Sequence, residues 1–372
     1  MKVALLGDIA FIGNMSIKTN PNISNCFAEV AEYLSQFDYV IGNLETPFSK
    51  LKKVNGAKSA YICADIENVQ ILKQLHVKAV CLANNHMFDF GEEGYETTKK
   101  VLLNNNIEFF GTEGRKVFYE KDGTKIAISG FCCYTSNPLC CVRGEKYGVN
   151  AYNIEDVHTT IKKNLENGYM NIVSIHSGLE HVNYPSLHHV RAARFLANDF
   201  QYVYYGHHPH VIQGIEEYNG SVIAHSLGNF CFDDVYIDHS SIPLVTMNEN
   251  NRNGAILELE INDNNVIEWR EQIIYISKKG NIKLIDQLPD IEKYNNCLIS
   301  CEKNEKDYTN KRNAILKSRI TERKATRNLM WYLKRLRPRY IQILLNARRN
   351  NQEFKNNVLK YISNESRNLQ KF

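Results

Sequence analysis

Five short apolar runs in the first 210 residues each stop on side chains that can bind a metal or move a proton. Residues 2–7 end at Asp8, 39–42 at Asn43-Leu44-Glu45, and 79–83 at Asn84-Asn85-His86. Residues 172–175 end at His176, and 202–205 at Gly206-His207-His208-Pro209-His210. Runs this short and this rich in Val, Ile and Tyr read as buried strands, as do 125–131 and 222–224. Between them, 25–36, 66–76, 92–105, 154–167 and 186–198 carry helical spacing, with Ser24 and Asn153 as candidate caps. Strand–helix alternation predicts an α/β sheet with substantial parallel pairing. In such sheets, chemistry collects at the carboxyl ends of the strands.

The remainder of the chain has a different character. Residues 254–261 and 266–275 read as a hairpin around Asn262-Asp263-Asn264-Asn265, and 284–306 as an irregular polar linker. The division predicted is a domain over 1–283, a linker over 284–306, and a basic helical extension over 307–372 broken near Pro338. Charge follows the same division. The formal net charge is +4, yet residues 301–372 hold 19 Lys and Arg against 6 Asp and Glu, and residues 1–300 hold 26 against 35. A basic extension is therefore joined to an acidic body. The extension could rest on an anionic membrane surface, with Trp331, Tyr332, Leu333 and Leu336 among its basic residues, or dock on the body itself. No motif for reading nucleic-acid bases is present, so no sequence-specific nucleic acid is expected as a partner.

The opening Met1–Asp8 is too short an apolar run for an export signal, and no run nears the ~20 apolar residues of a spanning helix. The expected location is the cytoplasm, with the inner face of the membrane as a peripheral site. Ten cysteines suit reduced thiols rather than a disulfide framework. The neighbours Cys132-Cys133 and Cys140-Cys141 lack the spacing of a zinc clamp, and on a strand two adjacent side chains face opposite ways.

Nine of the 12 histidines fall between His176 and His239. Histidine, carboxylate and carboxamide together form a ligand set for a borderline divalent ion such as Zn, Mn or Fe. In two-metal hydrolases a carboxylate bridges the ions, and imidazoles lie to either side. Pro209 stiffens the turn between His208 and His210, so two imidazoles spaced i, i+2 can serve one centre. Single residues have plainer readings. Asp8 could simply cap a helix, and Asn84-Asn85-His86 reads equally as turn chemistry. His225 lies in a strand run and suits a core position; His188-His189 sits in a helical pattern and carries no assigned role.

Taken in order, these pieces resemble the calcineurin-like metallophosphoesterase superfamily, and more closely its capsule-synthesis branch, the CapA or poly-γ-glutamate capsule protein family. The resemblance rests on Gly7-Asp8, Gly42-Asn43-Leu44-Glu45, Ala83-Asn84-Asn85-His86 with Asp89 and Gly91, His176-Ser177-Gly178 with Glu180, Gly206-His207-His208-Pro209-His210-Val211, and Ser226-Leu227-Gly228-Asn229-Phe230. It covers residues 1 to about 235 and implies a sandwich of two mixed β-sheets flanked by helices. It further implies that Asp8, Asn85, His176, His208 and His210 are metal ligands. His86 matches the histidine that contacts substrate and protonates the leaving group, and Glu180 and Asn229 belong to the capsule branch's pocket. Two positions depart from the general superfamily: Ala10 stands where its first motif has His, and Asn43 where its second has a bridging Asp. Glu45 can supply that carboxylate, since residues i and i+2 of a strand share a face. Ser177 takes a place where family members often have Trp.

The function this implies is metal-dependent hydrolysis of a phosphoester or related bond in capsule or extracellular polymer synthesis, with a polymer precursor as substrate. One or two ions of Mn, Zn or Fe would be held by Asp8, Glu45, Asn85, His176, His208 and His210. His86 and Glu180 would transfer protons, and Asn43, Asn84, His207 and Asn229 would contact substrate. The alternative is a non-catalytic component that binds the polymer or a carrier-linked precursor.

Overall fold

The computed structural model describes residues 1–50, 60–133, 136, 148–236, 243–286, 288 and 290–326, with isolated helical positions at 333, 341, 345 and 348. Its strands are β1 (Lys2–Ile9), β2 (Tyr39–Leu44), β3 (Val77–Cys81), β4 (Glu108–Phe110), β5 (Val117–Lys121), β6 (Thr124–Cys132) and β7 (Met170–His176). They continue as β8 (Tyr202–His207), β9 (Ile215–Tyr218), β10 (Ser221–Ala224), β11 (Asn229–Cys231), β12 (Asn253–Asn262), β13 (Asn265–Ile276) and β14 (Ile282–Ile285). The helices are α1 (Ile23–Cys26), α2 (Ala28–Leu34), α3 (Val69–Gln74), α4 (Gly91–Asn104), α5 (Ile154–Glu166), α6 (Leu187–Asp199), α7 (Glu249–Arg252), α8 (Ile291–Ile299) and α9 (Glu305–Thr326).

Two mixed sheets carry the fold. The first runs β14-β13-β12-β1-β2-β3-β4, with β11 also paired to β1; the second runs β5-β6-β7-β8-β10-β9. Pairing is parallel across β1–β4 and across β6, β7, β8 and β10, as strand–helix alternation predicts. The expected sandwich flanked by helices is the observed architecture. Side chains of the second sheet divide with period two. Ile172, Val203 and Tyr205 enter the core shared with the first sheet, while Val173, Tyr202 and Tyr204 pack with α5 and α6 residues such as Ile161 and Leu196. Cys132 and Cys133 divide in the same way, one in each core. The Tyr205 hydroxyl crosses the sandwich to donate to the Leu6 carbonyl.

Several local expectations need correction. Asn153 caps α5 by accepting from Glu155 N at 2.8 Å, but Ser24 lies inside α1 rather than at its start. The helix expected over 25–36 breaks at Phe27, whose ψ of −1° tightens the turn while its side chain is fully buried. The segment 284–306 is not an irregular linker. It completes β14 and then forms α8, whose Tyr294 and Leu298 are buried with Tyr184 and Val190. Those two buried positions, one turn apart, are joined by half-buried Cys297 and Ile291, so the polar bulk of the helix hides its apolar stripe. The predicted hairpin is present as β12–β13, with Asp263 and Asn264 at φ 47° and 62°, the left-handed pair a tight turn requires. The break at Pro338, the pair Cys140-Cys141 and most of the basic extension lie outside the described residues. No helix among the described residues is long and apolar enough to cross a membrane.

Candidate metal centre

Asp8 sits where β1 is flanked by two parallel partners, paired with Asn43 of β2 on one side and Asn229 of β11 on the other. The preceding residue must be glycine, because a Cβ on Gly7 would lie 2.3 Å from the Gly228 carbonyl oxygen. The carboxylate is fully buried. Its Oδ1 accepts from Asn43 Nδ2 at 2.8 Å and lies 2.8 Å from His207 Nδ1. Its Oδ2 accepts from the His208 amide at 3.3 Å and lies 3.3 Å from His210 Nδ1. Burial alone would raise the acid, but the hydrogen bonds and charges of His207 and His210 hold it well below 3.8.

The turn after β8 brings in the next two imidazoles. Gly206 is required there because a Cβ would stand 1.9 Å from the His225 carbonyl oxygen. His208 and His210 both adopt positive φ, 95° and 55°. Such backbone in non-glycine residues costs on the order of 1–3 kcal/mol each and persists only where the surroundings impose it. Here the imposing contacts are Asp8 on the His208 amide and the Pro209 carbonyl, which accepts from His181 N at 2.5 Å.

Glu45 and His176 close the cluster from β2 and β7. Glu45 Oε1 lies 3.6 Å from His210 Nε2 and 4.0 Å from His176 Nε2, and His176 Nε2 lies 3.1 Å from Asn85 Oδ1. The His176 and His208 rings are 4.7 Å apart. One donor atom each from Glu45, His208 and His210 falls within 4.8 Å of the others, the spacing a single ion needs. The donor chemistry fits a divalent cation. His176 Nδ1 and His208 Nδ1 are buried with no hydrogen-bond partner among the described residues. Burial, and then His208, hold His176 well below 6.5; burial holds His208 at about 4, so both are neutral, the form that ligates. His210 goes the other way. Burial opposes its charge, yet Glu45 and Asp8 raise it to about 10. The two carboxylates therefore call for positive charge between them.

A cavity of about 60 Å³ opens beside this cluster, lined by His86, Glu180, His181, His210, Asn229 and Asn251 and by apolar side chains including Ile62, Phe232 and Met247. Ala10 is buried in that apolar wall, packed with Ile62, Phe232 and Met247. His86 and Glu180 thus stand at the cavity, as does Asn229, whose Oδ1 is 2.9 Å from His210 Nδ1. Three residues expected at the substrate do not line it. Asn43 is fully buried against Asp8, and Asn84, also fully buried, donates to the Leu44 carbonyl at 2.8 Å and accepts from His86 N at 3.1 Å. His207 lies beneath the centre with its ring against Tyr205. They hold the strand ends in place, because a polar residue at a strand end can point into the sandwich as readily as into the cleft.

Three residues with no assigned role complete the surroundings. Asp89 Oδ2 lies 2.6 Å from His86 Nδ1; its i+3 spacing from His86 was the available signal. His181 Nδ1 lies 3.0 Å from Asn251 Oδ1, and Asn251 Nδ2 donates to the His210 carbonyl at 2.9 Å. Asn251 closes the capping box of four-residue α7 and gives no sign in sequence of its place beside the histidines.

Over 204 residues the chain is 31% identical to the PGA biosynthesis protein CapA of Bacillus subtilis (strain 168), covering 53% of this chain and 53% of that protein. Over 247 residues it is 28% identical to the capsule biosynthesis protein CapA of Bacillus anthracis, covering 63% of this chain and 60% of that protein. The chain thus spans between about half and three-fifths of the length of these curated relatives. Among solved structures it is similar to the calcineurin-like phosphoesterase YfkN from Bacillus subtilis, at 16% identity, covering 83% of this chain and 98% of that one with a TM-score of 0.42. The family described as bacterial capsule synthesis protein PGA_cap matches residues 2–234, well over half of the sequence, and the chain belongs to that family.

Proposed function

We propose that the protein is a metal-dependent hydrolase acting on a phosphoester or related bond of a capsule or extracellular polymer precursor. The observation that carries the reading is the convergence of Glu45, His208 and His210 donor atoms within 4.8 Å beside a cavity bordered by His86 and Glu180. Glu45, His208 and His210 would hold a divalent ion, with Asp8, Asn85 and His176 completing its surroundings. Such an ion supplies Lewis-acid polarisation of the scissile group and lowers the pKa of water. The chain's own residues orient and move protons. Asp89 fixes the His86 ring through Nδ1, which assigns proton transfer to Nε2. Glu180 is a carboxylate at neutral pH: burial raises it, but His208 and His210, both protonated in the acid range where it titrates, hold it at about 2. It therefore acts as an acceptor. Asn229 and Asn251 hold the His210 segment through its side chain and carbonyl.

The test is elemental analysis of the purified protein together with hydrolysis of aryl phosphate mono- and diesters and of capsule-type polymers. Near-stoichiometric Mn, Zn or Fe is expected, with His176→Ala lowering hydrolysis at least about 100-fold. A metal-free protein whose hydrolysis is untouched by His176→Ala would sink the proposal. One observation favours the second reading, a binding component. Asn43 stands where a bridging carboxylate is expected and donates a hydrogen bond to Asp8 instead. Tight polymer binding with no turnover in the metal-loaded protein would select that reading.

A further inference from the structure

Helix α9 lies against the loop that carries Glu180 and His181. Tyr308, Ile315 and Arg319 are spaced i, i+7 and i+11, which puts them on one helical face. Tyr308 is buried, its hydroxyl donates to the Pro185 carbonyl at 2.9 Å, and its ring meets Tyr184 edge-on at 5.7 Å. Ile315 packs against the cluster formed by Tyr184, Val190, Tyr294 and Leu298. Further along the same face, Arg319 Nη1 donates to the Glu180 carbonyl. The Tyr308 and Arg319 contacts land on the segment joining His176, the end of β7, to α6, and that segment has Gly178 at φ 110° and His181 at φ 57°.

The far side of the same segment touches the metal centre. His181 N donates to the Pro209 carbonyl, between His208 and His210. The His181 ring reaches Asn251, which in turn donates to the His210 carbonyl. A short series of hydrogen bonds therefore runs from α9 through Glu180 and His181 into the strained turn that bears two imidazoles.

We propose that Arg319 is a positioning residue of the metal centre: α9 braces the Glu180–His181 turn and, through it, the turn holding His208 and His210. The inference rests on the metal-site reading above for its functional meaning. It concerns a helix beyond residues 2–234, so it is a property of this chain's own C-terminal part rather than of the family match. Lysine at 319 keeps the charge and an ammonium donor but loses the planar fork, so it should serve partially.

The experiment compares the full-length chain with Arg319→Ala, Arg319→Lys and, as a control on the exposed face of α9, Lys317→Ala. Hydrogen exchange is followed in segments 177–186 and 207–211, and Mn²⁺ affinity is measured by calorimetric titration. Arg319→Ala should exchange faster in both segments and bind Mn²⁺ about 10-fold more weakly, the effect typical of partners one bond removed from a metal ligand. Arg319→Lys should recover most of both, and Lys317→Ala should match the parent. Unchanged exchange in 207–211 on Arg319→Ala overturns the proposal, whether or not 177–186 loosens. So does a uniform rise in exchange across the whole protein, which marks general destabilisation. If the parent takes up no Mn²⁺, elemental analysis for Zn and Fe decides the metal-site reading, and the exchange data alone decide whether α9 braces the turn.

Discussion

His225 shows how a histidine from the same dense stretch is kept out of the chemistry. It follows β10, is 4% exposed, packs its ring 5.2 Å from Tyr204, and leaves Nε2 without a hydrogen-bond partner among the described residues. Burial, then the nearby His189 and Arg194, push it down to about 3. Between about 3 and the ~6.5 of an unfolded histidine, the unfolded chain binds the extra proton, so stability rises with pH across that window. The contribution is complete above about pH 6.5 and is lost as pH falls toward 3. His225→Leu, which fills the site without a titrating group, should therefore remove about 1.4 kcal/mol of the stability lost between about pH 7.5 and about 5.5. Urea unfolding of both proteins at the two pH values checks this, and equal losses would refute it. Asp8, His176 and the His208–His210 turn were legible in sequence because each closes a strand, and strand ends in such sheets converge. The parts played by His181 and Asn251 were not, because they depend on contacts that close only after the loops have folded. His181 and Asn251 are 70 residues apart in sequence, yet their side chains lie 3.0 Å from one another.

Among the elements, α8 is tied down by one buried arginine of α6 in addition to its apolar contacts. Arg194 is 6% exposed and Glu216, in β9, 3%. The guanidinium grips that carboxylate at 3.0 and 2.6 Å and also donates to the Leu298 carbonyl at 3.0 Å, at the end of α8. Its third partner, Glu302, is 40% exposed and adds little. Arg194→Leu strands a buried carboxylate and should destabilise the protein by about 3–5 kcal/mol, whereas Arg194→Leu with Glu216→Leu should recover most of that loss. Denaturant unfolding of the single and double variants measures the difference; an equal or larger loss in the double variant would contradict this assignment. This anchoring explains why 284–306 passed for a linker. The helix combines a short apolar stripe with a tie to a cation a hundred residues upstream, neither obvious in a polar segment, whereas β7 and β8 announce themselves in unbroken apolar runs.

For the molecule as a whole, the decisive fact is that the centre straddles both sheets. Asp8 ends β1 and Glu45 follows β2 in the first sheet; His176 ends β7 and His208 follows β8 in the second. An ion there would clasp the two halves. Mn²⁺ at about 100 times its dissociation constant should add about 2.7 kcal/mol and raise the thermal midpoint by about 3–4 °C over protein in chelator, in one transition. Two separated transitions, or no shift, would contradict a centre shared between the sheets. The position of β1 has a consequence for how the chain is made. The strand nearest the amino end is central, bound on one side by β2 and on the other by β12, from Lys2↔Glu260 to Leu5↔Leu257. At about 5–20 residues per second of synthesis, that second edge waits roughly 12–50 s for its partner to leave the ribosome. During that interval a hydrophobic strand stands open to any neighbouring chain. The nascent protein is therefore most exposed to aggregation before its last third exists, and chaperone engagement should concentrate on nascent chains that still lack β12.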